Sequence, residues 1–327
     1  MELALLTSGR LSGRPLFMSF CVAASLSACA HAPGTATGGG GAGGAGGEAQ
    51  GIPAVGLKPL DLKEPVLLRL KGEIGRPEKV SYVHRTRSTS YEDVQVRHQK
   101  EETLEFVSQA DTLRLLPGRG ANDETVFTQV LSIVSKNGTM SLHDFAMPEM
   151  GENLEVTADS RGRILRAGDY PSNSIFYVPP ISLPDGPVHV GDTWGLQSEW
   201  LSLEEMVPYR LDMTSILRAV SSCGAHRCAS IELSGQVTLQ GPLSQVMAFS
   251  SFWKGYLMFD IDAGTVVWSR VDSEEQFASG NVRRSITSCL EATLTEPVDN
   301  RLQLAAHTPC ANLSDPGDIA PAPANMK

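Results

Sequence analysis

Ala229-Ser230-Ile231-Glu232-Leu233-Ser234-Gly235-Gln236-Val237-Thr238-Leu239-Gln240 is the stretch that decides the fold. Ile231, Leu233, Val237 and Leu239 alternate with Ser230, Glu232, Ser234, Gln236, Thr238 and Gln240. A period of two is the mark of a half-buried strand, because successive side chains in a strand point to opposite faces. The same alternation precedes it: Tyr209, Leu211 and Met213 alternate with Arg210, Asp212 and Thr214. It returns later, where Ile286, Leu290, Ala292 and Leu294 alternate with Thr287, Cys289, Glu291 and Thr293. In the first half Phe127, Leu131 and Ile133 do the same, although Val126, Val130 and Val134 blur the pattern.

Turn signals separate these runs. Asn137-Gly138 predicts a hairpin between 125–136 and 139–146. Asp159-Ser160-Arg161-Gly162 joins 153–158 to 163–167, and Asp260 to Gly264 joins 255–260 to 265–277. Short strands linked by local turns imply an antiparallel meander. The expected fold is therefore mainly β: an open half-barrel or two packed sheets, with a few short helices near 172–177 and 201–206. The halves 57–180 and 184–310 resemble each other, since Leu154-Glu155-Val156 precedes Gly162 much as Leu257-Met258-Phe259 precedes Gly264.

Ahead of the β pattern the sequence changes character. Arg10 and Arg14 precede an apolar run from Leu16 to Leu26, followed by the small residues Ser27 and Ala28. This has the layout of an export signal and is too short to span a membrane. Leu26-Ser27-Ala28-Cys29 resembles a bacterial lipobox, which implies cleavage before Cys29 and a diacylglycerol thioether on its sulfur. In the enterobacterial pattern an Asp after the Cys favours the inner membrane, and here Ala30 stands there, so the resemblance points to the outer membrane. Two or more acyl chains anchor stably without help from the protein. Residues 29–56 are then the lipidated Cys and a Gly-rich linker, with an expected end-to-end distance of roughly 25–30 Å for about 25 coil residues. The folded domain is read as 57–310, and 311–327 as a disordered tail.

The chain has 27 basic and 37 acidic residues, a net charge of −10. Loss of residues 1–28 removes Glu2, Arg10 and Arg14 and makes the balance one charge more negative. That argues against nucleic acid, whose phosphates need clustered Lys and Arg, and against docking on anionic lipid.

Of six cysteines, Cys21 leaves with the signal and Cys29 carries lipid. Cys223, Cys228, Cys289 and Cys310 remain, an even number in an exported chain, and are read as two disulfides. Cys223 and Cys228 flank Gly224-Ala225-His226-Arg227 between two strands, and Cys289 is placed on the polar face of its strand to capture Cys310. Zinc held by Cys223, Cys228, His226 and one more ligand is the rival. Only one such cysteine pair exists, in an oxidising compartment, so no metal or other cofactor is assigned.

No catalytic constellation is legible. Gly-x-Ser-x-Gly and His-Glu-x-x-His are absent from the sequence. His143-Asp144 reads as a solvated hairpin edge. His84 and His98, among Arg85, Arg87, Arg97, Lys100, Glu92, Asp93, Glu101 and Glu102, read as a solvated ladder. Glu274-Glu275 and Glu204-Glu205 are adjacent, so their side chains face opposite ways and neither doublet pairs for hydrolysis. Trp194, Trp200, Trp253, Trp268 and Phe252 are read as core rather than as a ligand groove.

The lipobox, the low-complexity linker, the Asp/Gly turns and the central Val188-His189-Val190-Gly191-Asp192-Thr193-Trp194 resemble a group of uncharacterised lipoproteins of myxobacteria and related lineages. The group brings no catalytic residues. A distant architectural likeness is to the half-barrel sheets of periplasmic lipoprotein carriers, which implies a face that binds acyl chains. The expected function is a non-catalytic, membrane-anchored envelope lipoprotein that binds an apolar ligand or an envelope protein. An enzyme acting on an envelope polymer and a structural spacer or coat protein are the alternatives.

Overall fold

The computed structural model describes residues 57–61, 64–92, 95–118, 124–179, 181–203, 206–245 and 247–296, together with Cys310 and Leu313. The signal, Cys29, the linker and nearly all of the 311–327 tail lie outside these residues.

Among these residues twelve strands form one antiparallel sheet that is open and not closed into a barrel. In chain order they are β1 (Lys58–Pro59), β2 (Glu78–Glu92), β3 (Gln95–Leu116), β4 (Val126–Asn137), β5 (Asn153–Asp159) and β6 (Ile164–Ala167). Then come β7 (Thr193–Leu201), β8 (Pro208–Cys223), β9 (His226–Leu239), β10 (Ala248–Asp260), β11 (Thr265–Ser279) and β12 (Val282–Glu296). The spatial order is β1-β8-β9-β10-β11-β12-β2-β3-β4-β5-β6, with β7 also paired to β8. Each half is a meander, and β12 against β2 joins them into one sheet. Among the described residues the helical content is three short 3-10 turns, at His143–Phe145, Ile175–Tyr177 and Pro242–Gln245.

The alternation in the sequence becomes an inner and an outer face. One rung shows it. Leu217, Ile231, Leu257, Ser269, Ala292, Tyr82 and Phe106 lie side by side across seven strands, and all are buried. Tyr82 and Phe106 stack with ring centroids 4.4 Å apart. On the outer face the same strands carry ion pairs: Arg218–Glu232, Arg210–Asp212, Arg270–Asp272 and Arg87–Glu101. In β4, Phe127, Leu131 and Ile133 face inward and Val134 is exposed, so the blurred valines belong to the other face.

The inner face is covered by non-strand segments of the same chain. Val66, Leu68 and Leu70 form a strap. Met140, Leu142, Phe145 and Met147 come from the loop after β4, and Phe176, Val178, Ile181 and Leu183 from the loop before β7. All join the core of the sheet. The strap is held by its backbone: Val66 pairs with Val188, the Leu70 N–H donates to the Ser160 carbonyl, and the Lys71 N–H donates to the Gly264 carbonyl. It therefore touches both hairpin turns that the sequence marks with Asp and Gly. Those turns share a device. Asp159 Oδ1 accepts from the Arg161 and Arg163 N–H groups, and Asp260 Oδ1 accepts from the Asp262 and Ala263 N–H groups. A buried carboxylate satisfies the turn donors that water cannot reach.

Two expectations are corrected. Asn137-Gly138 ends β4, but 139–146 is a loop with a 3-10 turn and not a returning strand. Gly138 sits at φ 126° against β3, where a Cβ would lie 2.8 Å from the Thr103 carbonyl oxygen. The following Met140 and Leu142 are apolar enough to be drawn into the core instead. No helix forms at the described positions of 201–206. Cys289 lies on the outer face with Glu291, as expected, and is buried there together with Thr287. β11 and β12 are central strands covered on both sides.

Candidate functional site

The described cysteines pair as Cys223–Cys228 and Cys289–Cys310. The first bridges the β8–β9 hairpin and the second ties residue 310 onto β12. The Cys310 N–H donates to Glu291, whose other oxygen accepts from Trp268 Nε1. Cys29 lies outside the described residues, as does the Glu204-Glu205 doublet.

The remaining candidates are dispersed. His84 is not on a solvated ladder. It is fully buried on the inner face, edge-on to Phe145, and burial pushes its imidazole down to about 3. Its alternation partners are Tyr82 and Val80, so it occupies a core position that its basic neighbours disguised. His143 sits in a 3-10 turn, bonded to Glu152 and Tyr170. Glu274 and Glu275 are both buried on opposite faces, and burial raises Glu275 well above the usual carboxylate range. Trp200, Trp253 and Trp268 are core. Trp194 donates to the Ser182 carbonyl, and Phe252 is half-buried on the outer face.

What the fold brings together is a cleft of about 440 Å³ between the strap and the β10–β11 hairpin, lined by Arg76, Glu78, His226, Asp260, Asp262 and Thr265 among others. Each comes from a different local cause. Glu78 opens β2, directly after the strap. His226 opens β9, and Asp260 closes β10. His226 Nδ1 lies 2.6 Å from Asp260 Oδ2. Arg227 grips Asp262 through its main-chain N–H and its guanidinium, which holds the Asp262 carboxyl below its usual range. Lys71 Nζ donates to the Asp262 carbonyl and ties the strap across the cleft. Burial lifts the Glu78 carboxyl to about 7, although a hydrogen bond with Thr265 and the charge of Arg76 pull the other way. The cleft thus pairs an imidazole–carboxylate couple with a carboxyl poised near neutrality, a combination that functional sites favour. The Asp260 turn was legible in sequence. Glu78 was not, because its burial comes from residues distant in the chain, Thr265 and Thr112 among them.

A wider cleft of about 980 Å³ flanks the other hairpin. Arg161 pairs with Glu124 and Asp185, and Arg163 with Glu124 and Asp159. Arg69 donates to the carbonyls of Leu68, Pro184 and Asp185. Three guanidinium groups meet three carboxyl groups here, so the cluster reads as an ion-pair network that closes the turn.

No family model matches the chain, and no curated protein matches it. Among solved structures, an outer membrane channel from Pseudomonas putida F1 is similar over 72% of this chain and 99% of its own, at 9% identity and a TM-score of 0.21. A likeness of that size carries no functional argument. Among the described residues no helix is long and apolar enough to cross a membrane.

Proposed function

We propose that this chain is an envelope lipoprotein, lipidated at Cys29 and anchored in the outer membrane, whose β-domain acts by binding an envelope protein. The lipobox supports the anchor. The observation that carries the binding mode is the filled inner face: Leu68, Leu142, Phe145 and Phe176 of the same chain occupy the apolar surface that an acyl chain would need. The outer face carries ion pairs such as Arg218–Glu232 and Arg270–Asp272, and charged side chains line both clefts; these suit a polar partner.

Native mass spectrometry of the full chain purified from membranes tests this. The expected result is a lipid mass on Cys29, loss of membrane association in Cys29→Ser, and a co-purifying protein partner. Extra mass on Cys29→Ser that organic extraction removes would instead favour an apolar-ligand carrier.

A second reading, an enzyme acting on an envelope polymer, is favoured by one observation: Glu78 near neutrality in the cleft that holds His226 and Asp260. Turnover of purified envelope polymer that is lost in Glu78→Gln, with binding retained, would establish it.

A further inference from the structure

We propose that the β8–β9 hairpin, when its disulfide is reduced, is a binding site for one soft divalent cation such as Zn²⁺, held by Cys223, Cys228, Asp260 and His226. Three strands supply the donors. β8 ends at Cys223, β9 returns His226 and Cys228, and β10 is registered so that Asp260 lies opposite Cys228. The two sulfurs and an Asp260 carboxylate oxygen all lie within 4.8 Å of one another. Among the described residues no other group of three metal-binding side chains is this close. His226 stands beside this group of three: its Nδ1 lies 2.6 Å from Asp260 Oδ2, and a side-chain rotation that opens this hydrogen bond would let it join as the fourth donor.

Two thiolates, an imidazole and a carboxylate suit zinc, which takes four such donors at about 2.0–2.3 Å. Part of the site is preorganised. The Asp260 side chain is only 2% exposed, and its Oδ1 is fixed by the Asp262 and Ala263 N–H groups, which leaves Oδ2 aimed at His226. The 440 Å³ cleft that His226 and Asp260 line is the route from solvent.

The two states exclude each other. In the disulfide the sulfurs are bonded together, and neither is a free thiolate ligand. A dithiol reductant opens the bond by supplying two electrons and two protons, leaving as its own disulfide and producing two thiols. Cation uptake then releases those two protons. A disulfide oxidant reverses the change: it takes the two electrons and two protons, leaves as two thiols, re-forms the Cys223–Cys228 bond and so expels the cation. Cys289–Cys310 gathers no comparable donor set among the described residues, so among them the second state belongs to the hairpin.

Co²⁺ is the probe, because its thiolate complexes have an intense near-ultraviolet charge-transfer band. The protein is the full chain with Cys21→Ser and Cys29→Ser, so that the four domain cysteines alone remain. After anaerobic treatment with a phosphine reductant, one equivalent of Co²⁺ is expected to bind with that band, and none before reduction. Cys223→Ser with Cys228→Ser should abolish the band, and Cys289→Ser with Cys310→Ser should keep it. His226→Ala should weaken binding at least about 10-fold. The proposal falls if the reduced chain binds no stoichiometric Co²⁺, if the band survives loss of Cys223 and Cys228, or if His226→Ala binds equally well. It also falls if reduction erases the near-ultraviolet circular dichroism of the tryptophans and Co²⁺ does not restore it.

Discussion

Gly235 sits in the middle of the most regular strand in the chain, where a glycine weakens packing and costs backbone entropy. The register explains it. Gly235 lies opposite Trp253 of β10, and a Cβ there would meet the indole at 2.3 Å. The buried ring of Trp253 lies against the glycine, so the two form one packing unit. Gly235→Ala must push the indole out of place, with an expected loss of about 1–3 kcal/mol from overpacking, read as a lowered urea midpoint at unchanged slope. A midpoint within error of wild type would sink the argument. His84 gives a second test at this scale. Its folded pKa of about 3 lies below the ordinary value of 6.5, so it favours the neutral ring. The stability it contributes is present above about 6.5 and is lost as pH falls towards 3. Its imidazole proton resonances should not move between pH 8 and 5, and a midpoint near 6.5 would contradict its placement. Both residues were hidden in the sequence for one reason. Gly235 needs a partner 18 positions away, and His84 is judged by its charged neighbours until the face it shares with Tyr82 and Leu104 is known.

The strap and the loops over the inner face are the elements that the sequence concealed. Strands announce themselves by alternation, but Val66, Leu68 and Leu70 alternate without forming a ladder, and Met140 to Met147 follow a hairpin signal that does not close. Their conformations are set by the apolar face they cover, which exists only once the sheet has formed. The Cys223–Cys228 pair and the Asp260 turn needed only local spacing and were legible, and Cys289–Cys310 followed from the even number of cysteines. Glu78 marks where strap and sheet meet, and its pH dependence reports on that junction. Its folded pKa of about 7 is raised above the ordinary 4.5. A raised carboxyl contributes stability below about 4.5 and loses it as pH rises through about 7. Glu78→Gln stays neutral throughout, so its stability relative to wild type should increase between pH 4.5 and 8. The gain should be at most about 3 kcal/mol, and less to the extent that solvent reaches the half-buried group. Chemical denaturation of both proteins at pH 4.5, 6 and 8 measures it, and parallel curves at all three would mean that this carboxyl is not buried at the junction.

At the scale of the whole molecule, the question left by the sequence was whether the two halves make one sheet or two. No local pattern answers it, because the deciding contact pairs the last strand with β2: Ser288 of β12 lies beside Thr86, some 200 residues earlier in the chain. That seam runs from Val282–Glu92 to Glu296–Lys79, as long as the ladders inside either half, and the buried rung crosses it without a break at Ala292 and Tyr82. The strap adds a second link by bonding to Ser160 in the first half and Gly264 in the second. Two domains joined by a linker would expose little when one unfolds. Here, unfolding either half would strip the apolar face of β2 or β12 and release the strap from its core. The cost of that exposure couples the halves, so the domain should unfold in one cooperative step. The chain offers a clean probe, since all four tryptophans, Trp194, Trp200, Trp253 and Trp268, lie in the second half. Tryptophan fluorescence in urea should therefore share its midpoint and slope with the hydrogen-exchange protection of β3 and β4 in the first half. If β3 and β4 lose protection at a distinctly different urea concentration, the seam is not a continuous core, and the halves are two bodies that meet rather than one sheet.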